Sequence, residues 1–160
     1  MWVVLEKRPR TLKILLQERP GVQLKENWLF GALMMAADGG HGIMVKILLN
    51  SGINIGASID YYYSALDLAA RGGHAHVVKL VLETCAAVFS SHDRMFNGHG
   101  YLSSVLKSSS ERGHEQVVVL LLNAGAPTNE DADTSISALQ MATAEGHEQV
   151  VKLLSKLVPK

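Results

Sequence analysis

Apolar and polar positions along the chain fall into two helical patterns that take turns. In the first, small residues recur at helical spacing: Ala32, Leu33, Ala36 and Ala37, then Ala65, Leu66, Ala69 and Ala70, and later Ala138, Leu139 and Ala142. Each set predicts a helix whose small face lets a neighbouring helix come close. In the second, Val and Leu cover nearly two faces: Val77, Val78, Leu80, Val81 and Leu82 in one copy, Val117, Val118, Leu120, Leu121 and Leu122 in the next. Such a helix must be sandwiched between neighbours, because a surface helix keeps a polar face. A Gly-His pair separates the two patterns each time. Glycine accepts the backbone angles that a tight helix–helix turn demands.

The pattern repeats. Its central phrase reads GGHGIMVKILL at 39–49, GGHAHVVKLVL at 72–82, RGHEQVVVLLL at 112–122 and EGHEQVVKLLS at 145–155, with histidines at 41, 74, 114 and 147. The successive spacings are 33, 40 and 33 residues. Periods of this length mean stacked supersecondary units in place of one globular core. A fainter fifth copy leads the others, since Lys13, Ile14, Leu15 and Leu16 stand 33 residues ahead of Lys46, Ile47, Leu48 and Leu49. The expected organisation is a single domain over 1–160. It has a partial unit at 1–26 and full units at about 27–55, 56–88, 89–128 and 129–160. The second spacing carries seven extra residues, which places an insertion near 86–104.

These features together resemble the ankyrin repeat. The Ala-Ala pair, Gly-His, Val-Val and Leu-Leu-Leu follow the family order, and NAGAPTN at 123–129 matches its connecting stretch almost letter for letter. The resemblance implies an all-α solenoid of helix–turn–helix units joined by finger-like β-turns, with a partner lying on the concave face. Several positions depart from the family. Its Thr-Pro helix start is replaced by Gly31-Ala32, Ser64-Ala65, Ser104-Val105 and Ser137-Ala138. Serine at these positions is expected to cap the helix, whereas Gly31 has no side chain for it. Ser109 and Ser110 replace the Ala pair of the third unit, and hydroxyls there are expected to bond back to helix carbonyls. Cys85 stands where a closing glycine belongs.

Register then locates a candidate binding surface. Five residues before the repeat leucine stand Trp28, Tyr61, Tyr101 and Thr134; two residues further on stand Phe30, Tyr63, Ser103 and Ile136. The resemblance puts both columns on exposed finger turns. Aromatic rings give rigid contact area and dominate interface hot spots, at about 2 kcal/mol or more each when central. The competing expectation is that they pack on neighbouring fingers and stiffen them. A third column, Asp38, Arg71 and Glu111, alternates in sign, with Arg71 placed to bridge the two acids. The insertion adds Phe96 to the surface, beside His92, Asp93, Arg94 and His99, and Asn97-Gly98 predicts a hairpin turn there.

Composition narrows the classes. Fifteen basic and fifteen acidic side chains cancel, so no basic excess marks a nucleic-acid or anionic-membrane surface. One cysteine makes no internal disulfide, and the first residues, MWVVLEKRPR, hold only a short apolar stretch. An intracellular protein, cytoplasmic or nuclear, is the expectation. The repeat histidines are implied to be structural, and neither a metal set nor a catalytic residue is assigned, nor any cofactor. The function expected is a protein–protein interaction module using Trp28, Phe30, Asp38, Tyr61, Tyr63, Arg71, Phe96, Tyr101 and Glu111. The alternative is a small-molecule binder or enzyme on the same scaffold, drawing on the aromatic column and the His, Asp and Arg of the insertion. Self-association through apolar ends is a further expectation.

Overall fold

The computed structural model describes residues 9–17, 26–51, 59–88, 99–127 and 133–157. Among them are nine helices and no strand. In chain order they are α1 (Pro9–Gln17), α2 (Glu26–Asp38), α3 (Gly42–Leu49), α4 (Ile59–Arg71), α5 (Ala75–Val88), α6 (His99–Glu111), α7 (Glu115–Asn123), α8 (Asp133–Ala144) and α9 (Glu148–Ser155). The finger turns, the Asn97-Gly98 hairpin and Phe96 lie outside the described residues.

The helices form two layers. Helices α2, α4, α6 and α8 stack side by side as one row, and α1, α3, α5, α7 and α9 as the other. Each unit pairs a helix of the first row with the next helix of the second. Helix α1, which carries the faint fifth copy of the phrase, packs on α3 as the second helix of its unit. This is the all-α repeat solenoid that the sequence implies.

Small residues make the close stacking feasible. Ala32, Ala36, Ala37, Ala65, Ala69, Ala70, Ala138 and Ala142 are all buried, as are Leu33, Leu66 and Leu106. In the second row Val77, Val78 and Val81 are buried, with Val117, Val118 and Leu121 in the corresponding places of α7. The second helices are less enclosed than their composition predicts. Leu80, Leu82, Leu120 and Leu122 are only half-buried, because one side of that row faces solvent.

Each inner helix ends in the same way. The His41 amide donates to the Ala36 carbonyl at 2.8 Å and the Gly40 amide to Ala37 at 3.1 Å, with Gly40 at φ +66°. That pair of bonds around a left-handed residue is a Schellman closure. It recurs with Gly73 and His74, Gly113 and His114, and Gly146 and His147.

Two local expectations are corrected. The first helices begin about five residues earlier than the Ser or Gly positions taken as caps, so Gly31, Ser64, Ser104 and Ser137 all lie inside helices. Proline disfavours helix in the residue before it, and this chain lacks the family's proline at those starts. Without that stop the helix runs on upstream, and Ser64 Oγ donates to the Asp60 carbonyl at 2.8 Å. Likewise α5 continues through Cys85 to Val88, since no glycine follows Leu82 to end it. Residues 86–88 and 99–104 of the expected insertion are therefore helical.

Candidate functional site

The extended first helices carry the aromatic columns. Trp28 and Phe30 sit in the opening turns of α2, Tyr61 and Tyr63 in those of α4, and Tyr101 in that of α6, on helices and not on finger turns. The rings meet between units in a diagonal pattern. Phe30 lies 4.5 Å from Tyr61 at a 37° tilt, and Tyr63 lies 4.2 Å from Tyr101 at 7°, nearly parallel. In both pairs the second-column ring of one unit packs on the first-column ring of the next. Trp28 and Tyr61 are half-buried against the core, whereas Tyr101 keeps 53 % of its surface exposed. Tyr62, between the two columns, turns inward and is buried.

Burial raises the pKa of the Tyr62 hydroxyl above its ordinary value, with a smaller contribution from the nearby Cys85. Burial raises that of Tyr63 as well, helped by Cys85, Tyr101 and Asp60. Cys85 itself is enclosed in α5, and its thiol is pushed up from 9.0 to about 12. A thiol that resists ionisation is a poor nucleophile, so this cysteine acts as a small apolar residue.

The charged column behaves differently from its expected ladder. Arg71 Nε pairs with Asp67 Oδ2 at 3.1 Å, one turn back on its own helix, and Glu111 Oε2 pairs with Arg112 Nη1 at 3.9 Å. The pairing of Arg71 within its helix replaces a bridge to Asp38 and Glu111. Such i, i+4 geometry keeps both side chains on one face and costs little ordering. Asp38, Arg71 and Glu111 are all exposed. Their backbones do a separate task. His74 Nε2 donates to the Asp38 carbonyl at 2.8 Å, His114 Nε2 to Arg71 at 2.9 Å and His147 Nε2 to Glu111 at 2.9 Å. A carbonyl only accepts, so Nε2 carries the proton in each. His76 Nε2 donates to the Gly40 carbonyl at 3.0 Å. These histidines stitch successive units together. No group of three or more potential metal ligands occurs among the described residues.

Between α4 and α6 the row opens into a cavity of about 380 Å³ lined by Asp60, Tyr63, Asp67, Arg71, Tyr101 and Ser104. Sequence reading did not single out Asp60 or Asp67. Asp67 replaces the family histidine after the repeat leucine, and that substitution was the available signal. Two further cavities, of about 510 and 730 Å³, lie along the second row beside Ile43 and Lys46. No helix among the described residues is long and apolar enough to cross a membrane.

The family model for ankyrin repeats, three copies, matches residues 1–93, which is 93 of 160 positions. A search of curated proteins returns no match. Most of the third unit and all of the fourth lie beyond the matched residues, yet His114 and His147 make the same bonds to the preceding unit as His74.

Proposed function

Since the chain belongs to the ankyrin-repeat family, we propose that it binds a protein partner across the face lined by its first helices, with Trp28, Phe30, Tyr61, Tyr63 and Tyr101 as the anchors. Ankyrin repeats are generally modules of protein–protein interaction. The observation that carries the reading is the ring arrangement. Two inter-unit pairs, Phe30 with Tyr61 and Tyr63 with Tyr101, fix rigid aromatic surface along three consecutive units. Rings already held by neighbours lose little freedom on binding, which favours them as hot spots. A standard interface needs roughly 800 Å² from each partner, an area that four stacked units supply. Asp38, Arg71 and Glu111 border the same row and would set register and specificity. Phe96, from the insertion, belongs to the same proposal.

The test is a comparative capture from native lysate with the wild-type chain, the Trp28→Ala/Tyr61→Ala/Tyr101→Ala variant and a Lys79→Ala control on the second row. Loss of a partner in the triple variant alone supports the face. Equal capture by all three sinks it. The alternative, a small-molecule binder or enzyme, draws on the cavity of about 380 Å³ between α4 and α6, which is in the size range of ligand sites.

A further inference from the structure

The outer surface of the second row changes character along the stack. One register of the repeated phrase reads Lys13, Lys46, Lys79, Val119 and Lys152. Lys79 pairs with Glu83 at 3.8 Å and Lys152 with Glu148 at 4.0 Å, each four residues away on its own helix. Helices α1 and α3 hold no acid, so Lys13 and Lys46 lack that neutralisation. Neither has an ion-pair partner among the described residues. The later helices α7 and α9 instead carry Glu115 and Glu148, in the register where α3 has Gly42. The α1–α3 end of this row is therefore cationic in a chain that is neutral as a whole.

The same end is also apolar. Ile43 is 69 % exposed, in a register that the later helices fill with His76, Gln116 and Gln149. Both cavities of the second row border Ile43 and Lys46, so they join into one groove that crosses from α1 over α3 to α5. Half-buried Leu16, Ile47 and Leu80 line it, exposed Lys13 and Lys46 edge it, and no acid does so among the described residues. Packed helices lie about 8–10 Å apart, which makes the groove roughly 16–20 Å long. A small molecule needs most of its surface enclosed, which a groove centred on so exposed an isoleucine does not give. A flat anionic bilayer would meet the exposed Glu115 and Glu148 further along the row. A helix with one apolar face needs to bury only that face, and acids on its flanks would meet the two free lysines.

We infer that this groove receives an acidic amphipathic helix of a second protein partner, its apolar side chains against Leu16, Ile43 and Ile47 and its carboxylates on Lys13 and Lys46. The groove lies on the opposite row from the aromatic columns and stands independently of them.

The test titrates the full chain, by calorimetry and NMR, with three synthetic helical peptides of about 16 residues, long enough to span the groove. They share one Leu/Ile face and carry Glu, Gln or Lys along its flanks; phosphatidylserine vesicles are the fourth probe. The Glu peptide should bind about fivefold tighter than the Gln peptide at low salt, with the Lys peptide weakest and the differences shrinking as salt rises. Amide shifts should fall on α1, α3 and the first turn of α5. Lys13→Gln/Lys46→Gln should bring the Glu peptide down to the affinity of the Gln peptide. Ile43→Gln, which installs the residue found at Gln116 and Gln149, should weaken both alike. All three positions are exposed, so these variants should melt as wild type does. The Trp28→Ala/Tyr61→Ala/Tyr101→Ala variant should bind the Glu peptide as wild type does. No binding of the Glu peptide, equal affinity for Glu and Gln peptides, or affinity unmoved by the lysine variant overturns the inference. Loss in the aromatic variant, or vesicles bound in place of the peptide, overturns it as well.

Discussion

Tyr63 and Tyr101 belong to different repeat units, 38 residues apart in the chain, yet their rings lie 4.2 Å apart and within 7° of parallel. The contact joins two roles that sequence reading set against each other. The pair stiffens the junction of two units, and it also presents an exposed ring. A double-mutant cycle on Tyr63→Ala and Tyr101→Ala should therefore show a stability coupling of about 0.5–1.5 kcal/mol in urea unfolding. Additive effects would mean that the rings do not support each other.

The histidine stitch makes a differential prediction about glycine. Gly113 and Gly146 both have φ near +70°, but a Cβ on Gly113 would sit 2.5 Å from the His147 ring, whereas one on Gly146 meets nothing within 4 Å. Gly146→Ala should show the left-handed backbone penalty alone, about 1–2 kcal/mol. Gly113→Ala should cost distinctly more, because it also displaces His147 from the Glu111 carbonyl. Equal midpoints for the two variants in denaturant would contradict the stitch.

Ser110 predicts a gain. Its neighbour Ser109 donates to the Val105 carbonyl at 2.7 Å, but Ser110 Oγ is fully buried with no hydrogen-bond partner. A buried unsatisfied hydroxyl costs about 1–3 kcal/mol. Ser110→Ala restores the alanine found at Ala37 and Ala70 and should raise Tm by roughly 2–4 °C for each kcal/mol recovered. A lower Tm would show that the hydroxyl is satisfied in solution.

Cys85 predicts an alkaline limit. Its thiol pKa is raised on folding, so the stability it contributes is present below pH 9 and is lost as pH climbs towards 12, where the unfolded chain releases a proton that the folded chain retains. Tyr62 acts in the same direction. Unfolding free energy measured from pH 8 to 11 should fall less steeply in Cys85→Ala than in wild type. Parallel slopes would contradict the assignment.

Core truncation should discriminate between leucines of the second row. Leu121 is fully buried and its replacement by Ala should cost about 2–5 kcal/mol. Leu80, half-buried at the rim of a cavity, should cost less. A larger loss at Leu80 would reverse the layer assignment.

Much of this architecture was legible in the chain. The Gly-His phrase announced the turn, its period announced the stack, and the alanine face announced the close row. Helix starts were not legible from the family pattern. Proline was the stop signal, and its replacement by Ala32, Ala65 and Val105 let the helices run back through Trp28, Tyr61 and Tyr101. The aromatic columns were visible, but their diagonal pairing was hidden, because it depends on the offset between neighbouring units. The bridge from Arg71 to the acids of neighbouring units was not realised for a local reason: Asp67, one turn back on the same helix, takes the guanidinium at 3.1 Å. Asp60 escaped notice because a single acid in a helical first turn reads as dipole stabilisation.

The most direct test of the binding face is amide hydrogen exchange on the chain alone and with its recovered partner. The account predicts new protection in the opening turns of α2, α4 and α6, around Trp28, Tyr61 and Tyr101, with the second-row helices α3, α5 and α7 unchanged. Protection confined to that second row, or none at the aromatic turns, would contradict it.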